Sequence, residues 1–175
     1  MTRPAQTRPF YFLPGWALGR GPLQAWAEAL AARGQPLTLL DLPGYGDTPA
    51  AQDFSGACAE LAARLPDGAV LGGWSLGALL ALGTALQAPG KFSRLVLVAA
   101  TPCFRQRPGW EPALSDADLA GFASAIAADP AASLTRFVGN FNRGESRARA
   151  VTRQLLASAD PLPAPAVLQQ GLDWL

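Results

Sequence analysis

A chain of 175 residues that is 50% apolar and 15% charged has the length and composition of one globular domain with a real core, and its 16 prolines and 18 glycines call for many turns. A formal charge of +1 gives no reason to expect nucleic acid as a partner, and no stretch approaches the roughly 20 apolar residues that span a bilayer. Two cysteines, Cys58 and Cys103, and no histidine make no zinc-type cluster, so they read as buried, reduced thiols of a cytoplasmic protein that needs no metal or other cofactor.

Arg3 and Arg8 are basic, but the apolar run that follows, Phe10 to Leu13, is too short for the core of a signal peptide. It reads instead as a buried strand, which Pro14-Gly15-Trp16 turns into a loop ending near Gly19-Arg20-Gly21. Leu23, Trp26, Ala27 and Leu30 then follow the spacing of a helix with one buried face, ended by Gly34. Leu37 to Leu40 form a second strand, and the turn-rich Asp41-Leu42-Pro43-Gly44-Tyr45-Gly46-Asp47 comes after it. Phe54, Ala57, Cys58 and Leu61 again recur at helical spacing behind Asp53, a predicted N-cap. Ala69 to Gly72 is a third strand, and Leu76, Leu79, Leu80 and Leu86 predict a helix that ends before Pro89. Leu95 to Ala99 is a fourth strand. This alternation predicts an α/β fold, a parallel sheet flanked by helices, with ligands at the C-terminal strand ends where Trp16, Asp41 and Ser75 fall.

After Thr101 to Phe104 the pattern changes. Arg105 to Pro112 is a loop, and Ser115 with Asp118 resembles a capping box ahead of Leu119, Phe122, Ala123 and Ile126. Asp129-Pro130 opens a helix carrying Leu134, Phe137, Val138 and Phe141. A third helical stretch holds Val151 and Leu155 beside Arg147, Arg149 and Arg153; Pro161, Pro163 and Pro165 break it before a last short helix. Residues 1–104 thus form the N-terminal part of a core and 105–175 a helical cap over the strand ends.

The chemistry centres on Gly73-Trp74-Ser75-Leu76-Gly77, a serine between two glycines where a strand turns into a helix, the arrangement of a nucleophile elbow. A hydroxyl is a weak nucleophile until it is exposed, aimed and deprotonated, and glycines let the backbone bend tightly enough to lift it clear of the sheet. The Leu76 amide, one residue past the serine, is one expected oxyanion donor; the Trp16 amide, on the loop after the first strand, is the second. The base is missing, because the chain has no histidine. The one lysine, Lys91, falls in a solvated turn, and Lys91→Met is expected to leave any activity untouched.

The segments Leu13 to Gly19, Asp41 to Gly46, Gly72 to Gly77 and Ala100 to Phe104, with Trp110 and Arg136-Phe137, resemble the α/β-hydrolase fold and, within it, the pimeloyl-[acyl-carrier protein] methyl ester esterase family. The resemblance implies that Ser75 is the nucleophile, that Trp16 and Leu76 line the oxyanion site, and that Phe137, Val138, Gly139, Asn140 and Phe141 contact the acyl chain. It implies that Arg136, Arg149 and Arg153 form a patch for an acidic acyl-carrier protein, with Ala132 where the family has a further arginine. Family members continue past the cap to the catalytic acid and histidine, so this chain is expected to be an incomplete hydrolase fold, inactive alone. Two other readings stay open: a non-catalytic module that binds an acyl chain or carrier protein, and a structural interaction domain whose serine turn is incidental. An unpaired outer edge on strand Leu95 to Ala99 favours an incomplete esterase over the binding module.

Overall fold

The computed structural model describes residues 8–175; Arg3, weighed above against a leader sequence, lies outside them. Strands β1 (Phe10–Leu13), β2 (Leu37–Leu39), β3 (Val70–Trp74) and β4 (Arg94–Val98) form one parallel sheet in the order β2-β1-β3-β4. Parallel neighbours need a crossover, and helices α1 (Gln24–Ala31), α2 (Phe54–Arg64) and α3 (Leu76–Gln87) supply three. The register sets Leu13 beside Gly73 and Trp74 beside Val98, which aligns the C-terminal strand ends and the loops that leave them.

Strand alternation divides the β1 side chains between the two faces of the sheet. Phe10 and Phe12 meet the Trp26 ring of α1, Phe12 at 4.9 Å between centroids. Gly72, paired with Phe12, has no room for a side chain: a Cβ there would stand 2.8 Å from the Phe12 ring and from the Val96 carbonyl oxygen. On the opposite face Leu13, Leu71, Leu76 and Leu80 are buried together with Ala57, Cys58 and Leu61 of α2.

Some expectations shift. The face of α1 predicted to be buried lies on the sheet, yet no α1 residue is fully buried, and Trp26 stays 37% exposed because the indole covers Phe10 and Phe12 with nothing packed over it among the described residues. Strand β3 runs two residues further than predicted, right up to the serine, since the Ser75 amide continues the ladder by donating to the Val98 carbonyl at 2.9 Å. Cys58 is buried as expected, whereas Cys103 is only half-buried because it sits on the irregular segment after β4; both thiols are free.

Helices α4 (Asp116–Ala128), α5 (Pro130–Phe141) and α6 (Ala148–Ser158) lie over the strand ends, each packed on the next. Their starts follow the predicted chemistry. Ser115 Oγ accepts from the Asp118 amide at 3.1 Å and donates to the Asp118 carboxylate, while Asp129 Oδ1 accepts from the Ala132 amide at 3.0 Å. Helix α7 (Pro165–Asp173) turns back onto the core: Leu168 and Leu172 are buried, Gln170 donates to the Ala51 carbonyl, and Trp174 meets the Phe54 ring. The link from α6 to α7 is fastened as well. The Asp160 carboxylate accepts from the Arg20 amide at 2.6 Å, and its own amide donates to the Leu18 carbonyl at 3.0 Å. Arg20 in turn pairs with Asp41 at 2.8 Å, joining cap exit, β1 loop and β2 loop.

Candidate active site

Ser75 stands between β3 and α3 with φ 54° and ψ −117°, a combination that costs a non-glycine residue about 1–3 kcal/mol and persists only where the surroundings impose it. The flanking glycines make room for the turn. A Cβ on Gly73 would run into the backbone of Gly77 and Ala78, and one on Gly77 would lie 2.5 Å from the Leu13 carbonyl oxygen and against that of Pro14. Because Gly77 lets α3 press onto the end of β1, the first turn of α3 lies beside the loop that begins at Pro14.

Two backbone amides near that contact are without a partner among the described residues. Leu76 is the first residue of α3, where an amide has no intrahelical partner. Trp16 belongs to the β1 loop, and neither its amide nor that of Leu76 donates to any described residue. Trp16 is held from three sides. Its Nε1 donates to the Leu168 carbonyl of α7 at 2.9 Å, and its ring meets Phe122 and Phe137 of the cap at 5.6 and 5.5 Å. Next to it, Ala17 adopts φ 63° and its amide donates to the Tyr45 hydroxyl at 3.0 Å. Tyr45 is 4% exposed, and burial pushes its phenol up to about 12, so it stays a neutral hydroxyl that fixes the loop. Gly171 completes the support, since a Cβ there would stand 2.8 Å from Trp16 Cδ1.

A cavity of about 760 Å³ opens between sheet and cap, and Ser75 and Trp16 form part of its wall. Phe122 and Phe137 stack at 5.3 Å, Phe137 meets Phe141, and Phe141 meets Trp74 at 6.3 Å, so the wall beside the serine is aromatic. Of the α5 residues expected at the acyl chain, Phe137, Asn140 and Phe141 share one helix face and line the cavity. Val138 and Gly139 turn away from it: Val138 is fully buried in the core and Gly139 has open space where a side chain would be. The expected arginine patch also divides. All three are exposed, Arg149 and Arg153 one turn apart on α6, but Arg136 alone of them also lines the cavity. Tyr45, Phe122, Leu168 and Gly171 were not singled out for the site, and of these only Phe122 had a helical pattern to announce a fixed direction.

Lys91 lies at the other end of the sheet. It pairs with Asp67 at 2.6 Å and lies beside Gly68, whereas Ser75 follows the paired residues Trp74 and Val98 at the opposite strand ends, seven residues along the sheet and about 23 Å away at roughly 3.3 Å per residue. Among the described residues no group of three His, Cys, Asp or Glu could hold a metal ion, and no helix is long and apolar enough to cross a membrane.

Residues 10–175 match the model of the alpha/beta hydrolase family. The chain belongs to that family. Its sequence is similar to pimeloyl-[acyl-carrier protein] methyl ester esterases, 40% identical over 171 residues to that of Aromatoleum aromaticum and 38% over 168 residues to that of Nitrosomonas europaea. These alignments take in 93% of this chain and 68% and 66% of the relatives, so the chain spans about two thirds of their length. The fold is also that of an esterase from Exiguobacterium antarcticum, with a TM-score of 0.75 at 17% identity, covering 94% of this chain and 65% of the other. A hydrolase from Oleispira antarctica gives 0.76 at 13% identity, covering 97% and 65%.

Proposed function

We propose that this chain carries the nucleophile and acyl pocket of a serine carboxylesterase of biotin synthesis, acting in the cytoplasm on a methyl ester, with the pimeloyl-[acyl-carrier protein] ester named for its relatives as the leading substrate. The observation that carries this reading is the strained Ser75 at the wall of an apolar cavity that Trp16 also lines, while the amides of Leu76 and Trp16 have no partner among the described residues. Ser75 Oγ attacks the ester carbonyl, the amides of Leu76 and Trp16 receive the oxyanion, methanol leaves, and water releases the acid from the acyl-enzyme. Each such donor is worth about 2.7–4 kcal/mol in the transition state.

The acyl chain lies against Phe122, Phe137 and Phe141, while Arg149 and Arg153 on the exposed side of α6 steer an acidic carrier protein towards the cap. No histidine stands among the 175 residues, so proton transfer from Ser75 calls for a base that another segment supplies, and the chain by itself is slow or silent.

The test is hydrolysis of a short p-nitrophenyl ester by the 175-residue chain, alone and mixed with the C-terminal part of a full-length relative, with Ser75→Ala in parallel. Turnover in the mixture that the alanine abolishes is the expected result. Equal turnover with the alanine would refute Ser75 as the nucleophile. Tight acyl-chain binding with no turnover in the mixture would favour a non-catalytic binding module instead.

A further inference from the structure

Arg136 stands apart from the other cap arginines. It lines the same cavity as Ser75, and its Nη2 donates at 3.2 Å to Ser133 Oγ, a hydroxyl only 1% exposed. One hydrogen bond to a neutral hydroxyl leaves most of the guanidinium's five donors unused. No carboxylate of the described residues lies within ion-pair distance of it. Asp118, which also lines the cavity, is engaged at the start of α4 with the Ser115 hydroxyl at 2.6 Å.

Position along α5 gives this charge a meaning. Phe141 packs on Trp74, next to the nucleophile, and Phe137 packs on Trp16. The backbone of residue 136 is set back from Phe141 by five residues, about 7.5 Å at 1.5 Å per residue. The apolar stretch between is covered by Phe122 and Phe137, which stack on each other.

We propose that Arg136 is an anion anchor: it pairs with a carboxylate at the far end of an acyl chain whose ester group lies at Ser75, so the cavity takes free half-esters of straight-chain dicarboxylic acids as well as carrier-bound chains. This rests on the esterase reading of Ser75 and deepens it. A planar guanidinium offers two parallel donors that match the two carboxylate oxygens, and Arg136, exposed at the cavity mouth, can present them to the end of a chain whose apolar part lies inside.

Trp16 and Trp74 in the wall give a readout that needs no turnover. The 175-residue chain is titrated near neutral pH with monomethyl pimelate and with dimethyl pimelate, following tryptophan fluorescence. The half-ester is expected to bind about tenfold tighter than the diester, the size of one charge-assisted contact. Arg136→Gln is expected to weaken the half-ester to the diester's level while leaving the diester unchanged, which shows that the variant folds. Arg33→Gln, which removes one positive charge from an exposed site on the core, is expected to keep the preference. Equal affinity for the two esters, no binding of either, or a preference that survives Arg136→Gln would overturn the anchor. Loss of Ser75-dependent turnover in the complemented assay, with the half-ester preference intact, would overturn the esterase reading and leave the anchor standing.

Discussion

Replacing Gly77 by alanine sets two effects against each other at one position. Gly77 is the second residue of α3, and by intrinsic helix propensity the change should stabilise by about 0.8–1 kcal/mol. The new Cβ would, however, lie 2.5 Å from the Leu13 carbonyl oxygen and against that of Pro14, and backbone atoms cannot swing aside as a flexible side chain can. Overpacking of this kind costs about 1–3 kcal/mol, occasionally more, which leaves a net loss of up to about 2 kcal/mol or beyond. Gly121 is the internal control: it lies exposed in α4 with nothing within 4 Å of its missing Cβ, so Gly121→Ala should gain the full propensity of about 0.8–1 kcal/mol. Urea unfolding of the two variants beside the parent measures both. The midpoints should move in opposite directions, and Gly77→Ala should also lower Ser75-dependent turnover in the complemented assay by separating the Leu76 and Trp16 amides. Matching stabilisation by both alanines would refute the argument that close approach of α3 to β1 builds the site.

Tyr45→Phe removes the acceptor of the buried Ala17 amide and should cost about 1–3 kcal/mol in urea unfolding, with a larger fractional loss in kcat than in KM, because the loop carrying Trp16 loosens. Burial raises the Asp41 carboxyl above its ordinary value of 3.8, with Asp160 and Asp47 adding to the rise and Arg20 opposing it. The folded protein therefore holds that proton more tightly than the unfolded chain, and stability from this group falls as pH rises through the raised value. Asp41→Asn should gain stability relative to the parent as pH rises from the ordinary carboxylate value through the raised one, and a difference independent of pH above the ordinary value would contradict the assigned direction. Lys91→Met breaks an ion pair whose Asp67 side is 87% exposed, so it should change stability by less than about 1 kcal/mol and leave complemented turnover unaltered. A loss of turnover would bring Lys91 back as a base.

Much of the molecule was legible because short-range rules govern it. Strand, glycine-flanked serine and leucine-rich helix stand in sequence order around Ser75, and Asp53, Ser115 and Asp129 each cap the helix that their position announced. What the sequence withheld depends on contacts between distant segments. Tyr45 reads as one more residue of a turn, and only the folded chain brings its hydroxyl to Ala17, 28 residues away. Gly171 reads as a weakness in a short helix until Trp16 is found against it. Arg136 belongs by composition with Arg149 and Arg153, but helical phase places it in the cavity wall beside Ser133, and that phase was set by packing of α5 on α4. The exposure of Leu97 and Val98 on β4, 39% and 44%, likewise follows from what covers the sheet and not from the strand's own apolar sequence.

Trp16 belongs to the loop after β1 and touches α7 and the cap at once, through its Nε1 and its ring. If Trp16 donates to the oxyanion as proposed, docking of the cap and placement of that donor become one equilibrium with two handles. A ligand that fills the space against Phe122 and Phe137 would then also order the amide proposed to donate to the oxyanion, and by reciprocity anything that seats the cap would raise affinity for that ligand by the same factor. A carrier protein bound on the outer surface of α6 would accordingly act on the inside of the pocket without entering it, tightening the grip on the acyl chain at the moment the chain is delivered.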